Sequence, residues 1–347
     1  FKHITFNTTK PLKTKIGNFE WQLVTGRLEL SGYTPPNPEK KYAGSLLYVK
    51  KGNQAWNGDD DWRYFQAYSL TYSPKWIKGL SLGLIRWIQM YSGLLKGDYN
   101  WIDTTPNYFP VFSNLFRKND SNDDLELQID QAIGGFLRWI WVDSKAEIYA
   151  EFHYNDAKQN IRDLLLDSDH SRAVTIGLQK IFNTKSEENY LFSWEWTQME
   201  QTGGRLLRNA SSWYIHDYVN SGYTNHGEVL GAGIGPGSNS HFLSISKINK
   251  KNKTSLALEI IDQNNDFYYG AFASAQDFRR YWKDYNLHIN FSKKYKYFWL
   301  YSNLMYSRSL NYQWDLEDYA TEYYHPGNDV NNFHATIKLT YLIPLGN

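Results

Sequence analysis

The chain has 347 residues and a mean hydropathy of -0.62, and no uninterrupted apolar run approaches the roughly 18–20 residues that a membrane-spanning helix needs. A helical membrane protein is therefore excluded. Lys and Arg (37) nearly balance Asp and Glu (36), which argues against a nucleic-acid binder driven by phosphate neutralisation, and the absence of Cys excludes disulfides and thiolate metal sites.

Apolar and polar residues alternate with period two along most of the chain, which predicts about 13 strands. The predicted strands lie, in chain order, near residues 2–8, 18–30, 61–73, 79–91, 130–142, 144–154, 171–183, 188–200, 241–249, 253–263, 281–291, 296–308 and 333–343. A change of parity near Gly26 predicts a β-bulge in the second strand. The clearest alternation is at 281–291, where Leu287 and Ile289 share one face and Asp284 and His288 share the other. Such strands place one face against lipid and the other against a watery lumen.

The connections between these strands alternate in length. Short turns are predicted near 143–145, 183–189, 249–253 and 292–296, and long polar loops near 92–129, 155–170, 200–240, 264–280 and 309–331. Outer-membrane barrels have short periplasmic turns and long extracellular loops. The predicted fold class is therefore all-β, a transmembrane antiparallel up-and-down β-barrel that forms a single domain over residues 1–347 in the bacterial outer membrane, with its loops facing the cell exterior.

Aromatic residues support this fold, because they make up 17% of the chain and include 28 Tyr and 14 Trp. Tyr and Trp combine an apolar ring with a polar tip and gather in two girdles where the barrel meets the membrane surfaces.

The strand count implies a missing piece, because bacterial single-chain barrels have even numbers of strands. The chain opens at Phe1 inside a strand, without Met or a signal peptide, so we expect an N-terminal strand or plug beyond this sequence. A strand-like stretch at 43–50 is either the additional strand or a hairpin in the loop that precedes Asp61.

The most distinctive segment is the glycine-rich stretch 221–240, with five glycines between positions 227 and 237. Glycines permit backbone conformations that are closed to other residues, so we expect a tight, specific loop at the barrel mouth or in the lumen. The spacing fits neither the dinucleotide-binding nor the P-loop pattern.

Three stretches stand out by their motifs. They are Tyr223-Thr224-Asn225-His226-Gly227-Glu228-Val229-Leu230-Gly231 followed by Ile234-Gly235-Pro236, residues 131–156 ending in Glu151-Phe152-His153-Tyr154-Asn155-Asp156, and Ser193-Trp194-Glu195-Trp196-Thr197. Together they resemble the Wzi family of capsule assembly proteins. The resemblance covers about the last two-thirds of the chain. It implies an outer-membrane barrel that acts as a surface lectin for capsular polysaccharide, without catalysis. The family's N-terminal helical bundle has no counterpart here.

Candidate binding residues follow from this reading, because sugar faces stack on aromatic rings while polar side chains bond the hydroxyls. The loop candidates for polysaccharide binding are Trp101, Tyr108, Trp213, Tyr214, His216, Tyr223, Asn225, His226, Tyr268, Tyr269, Trp314, Tyr323, Tyr324 and His325. The structural alternative assigns these aromatics to the upper girdle or to packing within loops. The inward charged candidates, which line the lumen, are Glu147, Glu151, Glu195, Glu259, Asp284, His288 and Lys338; they either line a solute path or pair internally.

No sequence feature indicates an enzyme, a cofactor or a metal site. The nine His form no His-Glu-x-x-His motif, and there is no Gly-x-Ser-x-Gly elbow. An outer-membrane lipase or protease that assembles Ser, His and Asp from separated strands needs no local motif and stays an open alternative. Expected partners are capsular or surface polysaccharide and outer-membrane lipid, with a larger outer-membrane complex as a further option. The alternative function is an outer-membrane diffusion channel or transporter for small solutes.

Overall fold

The structure is a computed structural model that describes residues 1–31, 62–93, 129–155, 161–184, 188–206, 208, 210, 212–216, 219, 221–273, 279–315 and 327–341. It is almost entirely β. The strands are β1 (Lys2–Asn7), β2 (Leu12–Lys13), β3 (Gly17–Leu28), β4 (Arg63–Pro74), β5 (Leu80–Tyr91), β6 (Asp130–Trp141), β7 (Ala146–Asn155), β8 (Arg172–Asn183), β9 (Asn189–Gln198), β10 (Thr224–Asn225), β11 (Glu228–Val229), β12 (Asn239–Ile248), β13 (Asn252–Asp262), β14 (Lys283–Lys294), β15 (Phe298–Leu310) and β16 (Val330–Tyr341).

The long strands follow one another in sequence order across a single sheet. The hydrogen-bonded order is β1-β3-β4-β5-β6-β7-β8-β9-β12-β13-β14-β15-β16, with the short β2 beside β3 and a separate hairpin of β10 and β11. Neighbours such as β13 and β14 pair antiparallel. The predicted up-and-down arrangement and each of its 13 long strands are thereby confirmed. The strand-like stretch at 43–50 lies outside the described residues.

The predicted bulge near Gly26 is wrong. The pairing of β3 with β4 is uninterrupted from Gly17 opposite Pro74 to Leu28 opposite Arg63. Gly26 has a different reason to lack a side chain, because a Cβ there would lie 2.7 Å from the Lys2 carbonyl oxygen. The glycine thus allows β1 to approach β3 closely.

The alternation of the two faces is confirmed by exposure in β14. Leu287 and Ile289 are 42% and 48% exposed, whereas Asp284 and Asn286 are 9% and 6% exposed. A water-soluble sheet would bury the apolar set instead. Exposed apolar and enclosed polar residues are the arrangement of a strand that crosses lipid.

Exposed aromatics mark the short turns. Around the turn between β14 and β15, Tyr295, Phe298 and Trp299 are 49%, 42% and 50% exposed. Beside the turn between β4 and β5, Trp76 is 67% exposed. Aromatic side chains at this height are typical of a membrane girdle.

Two short α-helices interrupt segments that were predicted as loops. They are α1 (Ile161–Leu166) and α2 (Asn265–Tyr268), which continues as a π-helical turn (Tyr269–Ala273). The side chain of Asn264 caps α2 by accepting a hydrogen bond from the Phe267 N–H at 3.2 Å. No helix in the described ranges is both long enough and apolar enough to cross a membrane.

The chain divides into two compact units. Unit 1 comprises Phe1–Arg138, Glu151–Val174 and Met199–Gly237, and unit 2 comprises Trp139–Ala150, Thr175–Gln198 and Ser238–Asn347. The prediction of one domain over the whole chain stays a prediction.

Candidate binding site

The glycine-rich segment begins as a small hairpin in unit 1. Strands β10 and β11 pair Thr224 with Val229 and Asn225 with Glu228. The two residues of the turn, His226 and Gly227, have φ values of 52° and 81°. Two consecutive positive φ angles define a type I′ turn, which strongly favours glycine at its second position. The hairpin places His226 at an exposed tip.

Arg63, at the start of β4, connects the hairpin to the sheet. Its side chain is fully buried. It donates hydrogen bonds to the main-chain oxygens of Gly222, of Thr224 at 2.8 Å and of Glu29 at 3.2 Å. The planar guanidinium can reach several acceptors at once because its donors form a rigid fork. One side chain thus joins two loops to the sheet.

Two further side chains support Arg63. Arg63 donates to Gln89 Oε1 at 3.0 Å, and Gln89 Nε2 donates to the Asp130 carboxylate at 2.5 Å. All three side chains are at most 2% exposed. The carboxylate thereby offsets part of the cost of burying a cation, and the amide fixes the distance between the two charges.

The connection after β3 holds the other edge of the hairpin. The Glu29 N–H donates to Asn225 Oδ1 at 3.1 Å, and the His226 N–H donates to the Glu29 carbonyl at 3.1 Å. Asn225 is therefore a structural residue of this hairpin as well as a binding candidate.

An aromatic stack fixes the glycine-rich segment against the sheet. The Tyr223 ring lies parallel to Trp87 of β5, with centroids 4.0 Å apart and planes inclined by 9°. Tyr214 also stacks on Tyr223, at 5.9 Å, and Trp213 meets Tyr214 edge-on at 6.0 Å. Large flat rings in contact contribute most of the packing energy of such a loop.

The two tyrosines of this stack are half-buried. Burial raises the pKa of the Tyr214 phenol, and it raises the pKa of the Tyr223 phenol more strongly. The Tyr214 hydroxyl accepts a hydrogen bond from the Ala232 N–H at 2.8 Å. A side chain at Gly231 would collide with that hydroxyl. The glycine here is needed for a close approach.

The structure brings some of the predicted loop residues together in unit 1 and others in unit 2. Trp213, Tyr214 and Tyr223 form the stack just described, and Trp213 is only 4% exposed. His216 lies in the preceding turn, where its Nδ1 accepts from the Val219 N–H at 3.1 Å. The remaining loop candidates Trp101, Tyr108, Tyr323, Tyr324 and His325 lie outside the described residues.

A second aromatic group lies in unit 2. The hydroxyls of Tyr269 and Tyr281 are 2.6 Å apart, and the rings of Tyr268 and Tyr281 are 4.5 Å apart. Trp314 packs 4.9 Å from Phe267 and is 9% exposed. Tyr268 is equally enclosed, whereas Tyr269 is half-buried. Three predicted candidates therefore share one cluster, with only Tyr269 partly accessible among them.

The predicted lumen residues have local hydrogen-bond partners. Glu195 of β9 accepts from the Tyr149 hydroxyl, and Glu259 of β13 accepts from Asn286 Nδ2 at 3.1 Å. His288 Nε2 lies 3.6 Å from the Glu259 carboxylate. This network lies within unit 2. It favours the alternative in which the inward charged side chains pair internally, at least in part.

The other charged candidates are placed as follows. Asp284 accepts from Trp282 Nε1 at 2.8 Å, Glu151 lies 3.3 Å from His153 Nε2, and Glu147 is half-buried. Lys338 is exposed and stands opposite Tyr301 in the register of β15 and β16. Within the part of the chain that the structure describes, no three His, Asp or Glu side chains are arranged to hold a metal ion.

Sequence reasoning missed the residues that hold the loop, Arg63, Gln89 and Asp130. The available signal was parity, because Arg63 shares its face with Phe65 and a charge on a strand of this kind belongs on the face away from lipid. Nothing local in the sequence indicates that its partners lie about 160 positions further along, at Gly222 and Thr224.

Comparison with known proteins gives the class of this fold. The chain is similar to the solved structure of Wzi from Escherichia coli, an outer membrane protein involved in group 1 capsule assembly and described as a carbohydrate-binding β-barrel. The TM-score is 0.60 at 12% sequence identity, over 97% of this chain and 60% of that one, so the chain spans less than two-thirds of Wzi. The fold is that of an outer-membrane β-barrel.

Within that class the fold is Wzi-like, which confirms the resemblance seen in the sequence at the level of fold. A second solved structure, the outer membrane channel DcaP of Acinetobacter baumannii, aligns with a TM-score of 0.34 and 10% identity over 97% of this chain and 82% of that one. No family model matches the sequence, and a search of the curated proteins finds no relative.

Proposed function

We propose that this protein is an outer-membrane barrel that binds capsular or other surface polysaccharide and holds it at the cell surface, without catalysing a reaction. The observation that carries the proposal is the fixed glycine-rich segment, which Arg63 and the Tyr223 stack hold against unit 1. A loop fixed before the ligand arrives avoids the entropic cost of ordering it on binding.

The hairpin tip offers groups that suit a sugar. His226 and Glu228 are exposed, and both can exchange hydrogen bonds with hydroxyls. The likeness to Wzi, described as a carbohydrate-binding barrel, supports a polysaccharide as the ligand. In this proposal the loops face the cell exterior, the apolar residues such as Leu287 face lipid, and a larger surface complex is compatible with the long loops.

The experiment that tests the proposal deletes the gene and measures cell-attached against shed polysaccharide. We expect the deletion to shift polysaccharide into the medium and the full-length gene to restore attachment. Attachment unchanged by the deletion would defeat the proposal.

A matched pair of variants ties the effect to the hairpin tip. The double variant His226→Ala with Glu228→Ala should shed polysaccharide while inserting normally, because both side chains are exposed and the tether to Arg63 uses main-chain oxygens. Lys251→Ala, at an exposed site in the short turn after β12, is the control and should retain it. Equal retention by both variants would remove the tip from the binding surface.

The alternative function, a diffusion channel or transporter for small solutes, makes a different prediction. A channel conducts ions steadily when the purified protein is inserted in a planar bilayer. We expect the wild type to remain closed. Steady conductance together with normal polysaccharide attachment in the deletion strain would favour the channel.

A further inference from the structure

One row of side chains crosses the polar face of unit 2 at a single level. The register places Phe242 of β12 directly between Glu195 of β9 and Glu259 of β13. Glu259 in turn stands opposite Asn286 of β14, and Asn286 stands opposite Ser307 of β15. We call these five residues the Phe242 row.

Exposure assigns the row to the face opposite the lipid-facing residues. In β12 the residues of the same parity as Phe242 are enclosed, with Ser244 at 8% and Ser246 at 2%. The residues of opposite parity, Leu243 and Ile245, are 40% and 55% exposed. Phe242 itself is half-buried, so an apolar ring lies partly open on a face whose other residues are mostly polar.

The spacing across the strands suits one sugar ring. Adjacent strands are about 4.8 Å apart, so the two glutamates lie about 10 Å apart with the phenyl ring between them. Facing side chains on neighbouring strands are within reach of one another. A pyranose has an apolar C–H face for the ring and hydroxyls around its rim for the carboxylates.

The row also retains hydrogen-bonding capacity. In the described part of the chain, the buried Asn286 Oδ1 has no hydrogen-bond partner, and His288 Nε2, at 3.6 Å from Glu259, has none either. Glu195 and Glu259 each use one oxygen, toward Tyr149 and Asn286, and a carboxylate accepts about four hydrogen bonds. Buried polar atoms without protein partners are uncommon, and a bound molecule with hydroxyl groups is one way to satisfy them.

We propose that the Phe242 row is a saccharide subsite, in which one pyranose unit stacks on Phe242 and its hydroxyls bond Glu195, Glu259 and Asn286. The proposal rests on the proposed function and names where a unit of the bound polysaccharide would lie. The aromatic ring selects the C–H face of the sugar, and the acceptor-rich rim selects neutral hydroxyls over acidic groups, which two carboxylates would repel.

The test uses the full chain purified in detergent and oligosaccharides cut by mild acid from the polysaccharide of the host strain. We expect calorimetric binding by the wild type and about tenfold weaker binding by Phe242→Ala, because the stacking face is lost. Phe242→Tyr keeps the ring and should bind as the wild type. Leu243→Ala, next in the same strand on the exposed apolar face, is the matched control and should bind normally.

Three results distinguish this subsite from the wider proposal. Unchanged binding by Phe242→Ala overturns the subsite, while shedding by the deletion strain would still support the function. A wild-type protein that binds none of the oligosaccharides also overturns the subsite. Binding by the purified protein that depends on the Phe242 ring, together with normal polysaccharide attachment in the deletion strain, would support the subsite and defeat the anchoring function.

Discussion

Replacing Arg63 by Met tests whether a single buried guanidinium holds the glycine-rich segment. The substitution keeps an apolar side chain of similar length and removes every donor to the carbonyls of Gly222, Thr224 and Glu29. A hydrogen bond to a charged group contributes about 1.5–3 kcal/mol. Water that enters the opened site replaces some of the lost hydrogen bonds and offsets part of their summed free energy. We therefore expect the loop's opening free energy to fall by about 3–5 kcal/mol, as for other broken buried charge networks.

The assay is hydrogen–deuterium exchange of the full chain in detergent, read on peptides within 221–234. A fall of about 3–5 kcal/mol corresponds to exchange faster by a factor of about a hundred to several thousand. Arg63→Lys should give an intermediate effect, because the ammonium keeps the charge but loses the fork. Peptides of β13 should exchange as in the wild type.

A matched control is Arg308→Met in β15, where the arginine pairs with Asp329 at 2.8 Å and is partly exposed. This variant removes an ion pair of the kind that contributes little at a surface, and it should leave exchange in 221–234 unchanged. Wild-type protection of 221–234 in Arg63→Met, with an intact circular dichroism spectrum, would refute the reasoning.

Two further predictions concern the loop tyrosines and a glycine in β8. The raised pKa values of Tyr214 and Tyr223 mean that the folded loop holds the neutral phenols more tightly than the unfolded chain, whose phenols titrate near 10.0; loop stability is thus complete below that pH and falls as pH rises toward the raised values. The opening free energy of the loop, taken from exchange rates corrected for the rise of intrinsic amide exchange with pH, should fall above about pH 10, less so in Tyr223→Phe, and an unchanged opening free energy would contradict the burial. Gly177→Ala would place a methyl group against the Tyr149 ring and should lower the free energy of unfolding by about 1–3 kcal/mol, as read from thermal unfolding in detergent. Gly233→Ala, with nothing within 4 Å of the added carbon, should stay within about 0.5 kcal/mol of the wild type, and equal losses in both variants would disprove the steric argument.

The strands were predictable because their signal is local. Each residue of β14 reports its face through its own polarity, and Asp284 and Leu287 fall where alternation places them. The pattern fails where a polar residue shares the apolar face. Arg86 has the parity of the exposed Leu84, and a hydrogen bond to Gln131 at 2.9 Å accompanies it there. Parity alone does not reveal such a pair.

The binding candidates were harder to predict because composition does not distinguish a ring that stacks on sugar from one that stacks on another ring. Trp213 has the residue type and loop position expected of a sugar platform, yet Tyr214 covers it and only 4% of it is exposed. Phe242, in contrast, lies within a strand, so its position in the sequence does not mark it as a binding candidate. Its neighbours Glu195 and Glu259 come from strands more than 60 positions apart, which only the register brings together.

The tether at Arg63 recognises main-chain oxygens at Gly222 and Thr224, and these oxygens are the same whatever side chains the tip carries. Position 228 can therefore exchange residues without loosening the anchor, and position 226 can do so among residues that adopt its φ of 52°. Under the proposed function, the attachment of the hairpin is thus separate from its specificity, and changes at these two side chains would alter which surface glycan is bound while the scaffold beneath them stays as it is.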